Sequence, residues 1–184
     1  MNIVQTGIPG LVVIEPRVFE DDRGYFFETF QQKRYLEAGI ERPFIQDNES
    51  RSTKGVVRGL HYQLGDAAQA KLVRVIQGSV YDVVVDLRKG SPTFGKWFGV
   101  ELNEKNKKQL YVPRGFAHGF SVLSETAIFT YKCDNLYNRE TERSINPFDE
   151  TLGIDWQLKK EESVVSEKDQ NAPAFEKAQM NFVY

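Results

Sequence analysis

The stretch Tyr81-Asp-Val-Val-Val-Asp-Leu87 decides the fold class of this chain. In an extended segment, side chains point alternately to two faces. One face then carries Tyr81, Val83, Val85 and Leu87, and Asp82 and Asp86 fall on the other face. On both sides of this stretch, turn signals rich in Gly, Asn, Asp and Pro recur at intervals of roughly ten residues, with short runs of Val, Phe, Tyr and Leu between them. This spacing is typical of an all-β sandwich or barrel.

Length and composition indicate an ordinary globular protein. The chain has 184 residues, 40% of them hydrophobic, with 24 Lys+Arg against 26 Asp+Glu and a net charge of −2. We expect one domain over residues 1–184, with short helical segments at Gln31–Ala38 and Ala174–Met180 and a C-terminal tail packed on the barrel. The near-neutral charge argues against a broad nucleic-acid or membrane surface. The apolar run Leu11–Ile14 is too short for a signal peptide or a membrane span.

Cysteine and histidine are scarce. Cys133 is the only cysteine, which excludes an intrachain disulfide and fits the reducing environment of the cytoplasm. With two histidines in the whole chain, a dedicated zinc site is not expected.

Strand alternation places two ionisable side chains among apolar ones. Lys71 shares a face with Val73 and Val75, and His118 shares a face with Phe116 and other large residues. A lysine whose ammonium reaches water and a hydrogen-bonded core histidine are the plain interpretations of each residue alone. On strands of one barrel, however, the two together form a candidate site.

Two further segments carry candidate chemical groups. Arg58 and His61 have opposite strand parity, and a β-bulge at Gly59 would bring both to one cavity. Tyr131 and Tyr137 lie near the end of a strand, where a phenol can act as a general acid, although most such tyrosines only pack their rings.

The segment Pro113-Arg-Gly-Phe-Ala-His118 has the P-x-G-x-x-H pattern of the cupin barrel, in which a tight turn leads into a strand that carries a histidine. Metal-binding cupins also have an H-x-H pair, whereas the corresponding segment here is His61-Tyr-Gln63. The sequence therefore predicts a cupin-like jelly-roll barrel with a few short helices and no metal site.

The chain resembles the dTDP-4-dehydrorhamnose 3,5-epimerase family nearly from end to end. The resemblance rests on these stretches: Asp22–Glu28, Gln46–Asn48, Val57–Gln63, Lys71–Val75, Asp86–Trp97, Val112–Phe120, Leu152–Trp156 and Ser166–Asp169. Enzymes of this family invert C3 and C5 of a thymidine-diphosphate-linked 4-keto-6-deoxyhexose by deprotonation and reprotonation, with neither a metal nor a redox cofactor.

The resemblance implies specific roles for individual residues. His61 corresponds to the base, Asp169 to its orienting partner, Tyr131 to the general acid and Lys71 to the residue near the C4 oxygen. The substrate-binding positions that it implies are Arg23, Glu28, Gln46, Asp47, Asn48, Arg58, His118, Tyr137, Glu142 and Lys168. It also implies a homodimer, in which the N-terminal strand of each chain adds to the sheet of the other and helps to complete its site.

Several alternatives remain open at this point. A 3-epimerase of a deoxysugar pathway would keep much the same residues, because the stereochemical outcome depends on how the sugar is positioned. A 4-keto sugar isomerase on a similar barrel fits the residue set less well, and the missing H-x-H argues against a metal-dependent cupin. A non-catalytic sugar-nucleotide-binding jelly roll is the alternative from a different functional class.

Overall fold

A computed structural model describes residues 1–184 and confirms the mainly β architecture. The strands are β1 (Asn2–Gln5), β2 (Val12–Glu15), β3 (Phe19–Asp21), β4 (Gly24–Phe26), β5 (Gln46–Thr53), β6 (Val56–Gln63), β7 (Lys71–Gln77), β8 (Ser79–Asp86), β9 (Trp97–Asn103), β10 (Gln109–Val112), β11 (Phe116–Val122), β12 (Thr126–Cys133), β13 (Glu142–Ser144) and β14 (Val164–Val165). The helices are α1 (Gln32–Glu37) and α2 (Glu167–Gln170), with 3-10 turns at Gly65–Ala67, Lys160–Glu162 and Phe175–Lys177.

Two sheets build the barrel. The first, sheet A, has the strand order β1-β2-β10-β7-β12-β5, and the second, sheet C, has the order β13-β6-β11-β8-β9, with β14 pairing beside β6. Strands β3 and β4 form a separate hairpin, sheet B. The main core lies between sheets A and C, where Val73 and Phe129 from sheet A pack in one cluster with Val84 and Phe120 from sheet C.

Strand β8 is buried on both faces. Val83 and Val85 pack in a second apolar cluster with Ile145 and Trp156 from the C-terminal part of the chain, so the outer face of sheet C is also covered. The opposite face, which carries Asp82, points to the barrel interior, and both aspartates of this strand are fully buried. The alternation seen in the sequence thus separates two apolar environments rather than core from solvent.

The early helix agrees with its prediction, and the late one does so only in part. The Gln31 side chain accepts a hydrogen bond from the Arg34 amide and caps α1, and the chain leaves the helix through Gly39 at φ +84°. Within Ala174–Met180 only the three residues Phe175–Lys177 form a helical turn. No helix in the structure has the length and apolar character needed to cross a membrane.

Candidate active site

The two histidines face the barrel interior side by side. In the antiparallel pairing of β6 with β11, His61 lies directly opposite His118, so their side chains project to the same face of sheet C. His118 is buried, and its ring stacks on Phe129 of sheet A at 6.0 Å between centroids. His61 is more accessible, with 31% of its side chain exposed. The pair therefore extends from the buried core toward solvent, and we call the interior space that both rings face the cavity.

A bulge at Gly59 makes this arrangement possible, as the sequence predicted. Arg58 pairs with Phe120 and His61 with His118, so three steps along β6 match two steps along β11. Gly59 has φ +122°, and a Cβ atom there would lie 2.6 Å from the Gly119 Cα atom. Only glycine fits so close a backbone approach.

Asp169 orients the His61 ring. His61 Nε2 lies 2.6 Å from Asp169 Oδ1, and the Gly59 amide donates to Oδ2 of the same carboxylate at 3.3 Å. Burial by itself raises the pKa of Asp169, but the hydrogen bonds from His61 and Gly59 outweigh it and hold the pKa below its usual range. Because Nε2 faces a carboxylate, it carries the proton and leaves Nδ1 free to act as a base.

Sheet A supplies a cation and a phenol to the same interior. Lys71 pairs with Cys133 and Val73 pairs with Tyr131, so Lys71 and Tyr131 share the inner face. The Lys71 Nζ atom lies 5.6 Å from the centroid of the Tyr131 ring. Burial lowers the pKa of Lys71 and raises that of Tyr131, which keeps the phenol protonated. The Tyr131 hydroxyl forms no hydrogen bond within the chain and is free to meet a ligand.

A second group of polar residues surrounds this centre. Glu142 lies beside it on β13, and its Oε2 atom accepts hydrogen bonds from Lys168 Nζ at 2.5 Å and from the Tyr137 hydroxyl at 3.1 Å. Burial raises the pKa of Glu142, but the Lys168 ammonium and the Tyr137 hydroxyl together lower it below its ordinary value. The Arg58 guanidinium donates to Ser52 Oγ at 3.0 Å.

Strand β5 divides the predicted residues Gln46, Asp47 and Asn48 between its two faces. Gln46 and Asn48 pair with Cys133 and Tyr131 and are hydrogen-bonded to each other at 3.1 Å. Asp47 projects to the other side of sheet A, where its carboxylate binds the Lys132 ammonium at 2.9 Å. The structure therefore does not bring Asp47 to the group around His61.

Arg23 and Glu28 also lie outside the cavity of their own chain. Arg23 is in the β3–β4 hairpin with 90% of its side chain exposed and pairs with Asp21, while Glu28 pairs with Arg34. The hairpin region lies across the outer face of sheet A, where Arg74 contacts the Phe27 ring. A cavity of about 300 Å³ lies beside the same sheet and is lined by residues that include Asp47, Arg74 and Lys132.

One buried residue of the site was missed from the sequence. Asp82 is fully buried, and His118 Nε2 lies 3.0 and 2.9 Å from its two carboxylate oxygens. The available signal was the position of Asp82 on the face of β8 opposite to Val83 and Val85.

No group of three or more His, Cys, Asp or Glu side chains is arranged to hold a metal ion.

Comparison with known proteins gives one consistent family. The family profile described as dTDP-4-dehydrorhamnose 3,5-epimerase matches residues 5–177. The dTDP-4-dehydrorhamnose 3,5-epimerase of Shigella flexneri is 52% identical over 176 residues, which are 95% of this chain and 96% of the relative.

Solved structures agree with the sequence match. The dTDP-4-dehydrorhamnose 3,5-epimerase of Elizabethkingia anophelis has a TM-score of 0.92 at 55% identity and covers 96% of this chain and 97% of its own. A dTDP-6-deoxy-D-glucose-3,5-epimerase of Legionella pneumophila was solved with dTDP-4-keto-L-rhamnose. It has a TM-score of 0.95 at 50% identity, and the match covers 100% of this chain and 98% of the Legionella chain. The fold is accordingly the cupin-like jelly roll that the sequence predicted. The chain belongs to the dTDP-4-dehydrorhamnose 3,5-epimerase family.

Proposed function

We propose that this chain is an isomerase that converts dTDP-4-dehydro-6-deoxy-D-glucose to dTDP-4-dehydro-L-rhamnose in dTDP-L-rhamnose biosynthesis. One observation carries the assignment: an oriented base, His61 with Asp169, faces the cavity that also receives Lys71 and Tyr131 from the opposite sheet. This set supplies a base, a cation and an acid, which are the three groups that epimerisation beside a ketone requires.

The first step is proton abstraction by His61. The ketone at C4 acidifies the hydrogens on C3 and C5, so Nδ1 of His61 takes one of these protons while the C–H electron pair forms the enolate. Asp169 stabilises the resulting imidazolium through its hydrogen bond to Nε2–H. The negative charge accumulates on the C4 oxygen, where the Lys71 ammonium supplies the opposite charge.

The second step delivers a proton from the opposite side of the sugar. Tyr131 projects from sheet A, whereas His61 projects from sheet C, so acid and base approach a bound ring from different sides. The phenol donates its proton to the carbon, the enolate returns to a ketone, and the centre is inverted. The raised pKa of Tyr131, caused chiefly by burial, keeps this proton available at neutral pH.

The remaining residues bind the sugar nucleotide. Arg58 is suited to a phosphate because a guanidinium binds two oxygens at once. Gln46 and Asn48 offer amide groups from the inner face of β5, and Tyr137 offers a ring that is 53% exposed. We assign the other binding roles to these residues: His118, Glu142 and Lys168.

Arg23 and Glu28 contribute to substrate binding in a homodimer, in which each chain would complete the substrate site of the other. Three large side chains of the β3–β4 hairpin support this, since Phe19, Tyr25 and Phe26 are 51%, 57% and 71% exposed. Light scattering should give the mass of two chains, and Phe26→Asp should lower it, whereas Val183→Asp, at another exposed apolar residue, should not. A fully active monomer would contradict the dimer.

The single unpaired cysteine supports a cytoplasmic enzyme.

Proton NMR of dTDP-4-dehydro-6-deoxy-D-glucose in deuterium oxide tests the reaction. We expect the enzyme to remove both the H3 and the H5 signals, and a 4-keto reductase should trap the L-configured product. His61→Asn should abolish both exchanges, while Lys54→Ala, at a surface turn, should keep them. Exchange at C3 alone would make the protein a 3-epimerase. No exchange at either carbon would favour a binding protein and refute the proposal.

A further inference from the structure

Asp82 is a buried acid in the barrel that takes no direct part in the proposed proton transfers. Its carboxylate is fully buried and lies on the interior face of β8. The only side chain that it contacts by a hydrogen bond is His118, through both oxygens. It therefore cannot contact a substrate directly, and its effect on the cavity must pass through neighbouring groups.

The contact orients the His118 ring. Because Nε2 faces a carboxylate at 2.9–3.0 Å, the proton of the imidazole must lie on Nε2. Nδ1 of His118 forms no hydrogen bond within the chain. Ser50 Oγ is the one fully buried side-chain polar atom that lacks a partner, so Nδ1 of His118 is not fully buried and reaches the cavity. His118 thus repeats, on the neighbouring strand, the geometry of His61 with Asp169.

Asp82 and Lys71 face the same barrel interior from opposite sheets. The titratable groups that face Lys71 are Tyr131 and Cys133 from β12, Asp82 from β8 and Glu142 from β13. Those that face Asp82 are His118 from β11 and Lys71 from β7. Burial lowers the pKa of Lys71, and Cys133, Asp82 and Glu142 act in the opposite direction. Burial raises the pKa of Asp82, and His118 and Lys71 act against that increase.

We propose that Asp82 is a positioning residue that fixes the His118 ring and supplies the buried counter-charge for the Lys71 ammonium. This inference rests on the proposed function, because it assigns to Lys71 the charge that stabilises the enolate oxygen. Asp82 acts on the reaction only through these two side chains. Removing its charge while keeping its shape should therefore weaken turnover more than substrate binding.

The test compares Asp82→Asn with Asp86→Asn. Both aspartates are fully buried on the same face of β8, but Asp86 bonds to Arg88, Ser91 and Thr93 instead of the histidine. We expect Asp82→Asn to lower kcat by about 10- to 100-fold with little change in KM. A loss of this size is typical when a residue that orients a neighbouring functional side chain is replaced. The alkaline limb of its pH–rate profile should move to lower pH, because Lys71 loses its proton more easily. Asp86→Asn should keep the wild-type kcat and the wild-type pH profile.

Nitrogen-15 NMR of the ligand-free wild type provides a second measurement that does not depend on the variant folding. The chain has only two histidines, so the spectrum is readily assigned. We expect His118 to carry its proton on Nε2 and Lys71 to remain an ammonium at neutral pH. A proton on Nδ1, a neutral Lys71, or an Asp82→Asn enzyme with unchanged kcat and pH profile would overturn the inference. If the wild type exchanges neither C3 nor C5, the proposed function fails instead.

Discussion

Replacing Gly59 by alanine tests whether the bulge in β6 builds the active site. The added Cβ atom would lie 2.6 Å from the Gly119 Cα atom and 2.8 Å from the His118 carbonyl oxygen, and neither backbone atom can rotate away. An L-residue at positive φ costs about 1–2 kcal/mol, and overpacking a rigid site costs about 1–3 kcal/mol more. We therefore expect Gly59→Ala to lose about 3 kcal/mol of the free energy of unfolding.

Gly90→Ala is the matched control. Gly90 has φ +86°, but a Cβ atom there meets nothing within 4 Å, so only the conformational cost of about 1–2 kcal/mol applies. Urea unfolding measures both variants, and deuterium incorporation into the substrate measures their activity. Gly59→Ala should also lose activity, because the shift displaces His61 from Asp169, whereas Gly90→Ala should stay active. Equal destabilisation of the two variants, or a fully active Gly59→Ala enzyme, would refute the reasoning.

Three further predictions follow from the same geometry. Asp169→Asn should lower kcat/KM for deuterium exchange by about 10²–10⁴-fold, because the His61 ring loses the carboxylate that fixes its tautomer, and a wild-type rate would contradict this role. Tyr131→Phe should lower the epimerisation rate on the same scale while its urea-unfolding free energy stays within about 0.5 kcal/mol of wild type, because the hydroxyl has no partner in the chain. Burial raises the pKa of Asp86, but hydrogen bonds from Arg88 and Ser91 outweigh burial, so the pKa of the folded state is lower than that of the unfolded state. The ionised Asp86 carboxylate therefore contributes to stability above about pH 4, and this contribution is lost as the pH falls through the pKa of the folded state. Urea unfolding between pH 7 and pH 3 should show a smaller loss for Asp86→Asn than for wild type.

Strand alternation was enough to identify the interior groups on individual strands. Lys71 and His118 share faces with large apolar residues in the sequence, and both face the barrel interior in the structure. The bulge at Gly59 could also be predicted, because two functional residues of opposite parity surround a glycine. Side-chain direction repeats every two residues along a strand, so it can be derived from local sequence alone.

Local sequence could not predict which charged groups lie together. The resemblance to a family suggested Asp169 as the partner of His61, 108 residues away, whereas periodicity did not. Asp82 and His118 are 36 residues apart, and neither segment identifies the other. Asp47 lies between two residues of the candidate site, yet β5 turns it to the outer face, where it pairs with Lys132.

By itself, the sequence determined the mainly β fold class, which side chains share a face in the runs around Lys71, Asp82 and His118, and the kinds of chemical group available. It also determined that the chain carries two imidazoles and a single thiol. Only the tertiary structure decided that His118 also faces a carboxylate, that Lys71 and Tyr131 meet on the opposite sheet, and that Arg23 lies outside the cavity of its own chain. The physical reason is that such contacts depend on strand register and on how two sheets pack, and a shift of one residue in register would turn every side chain of a strand to its other face.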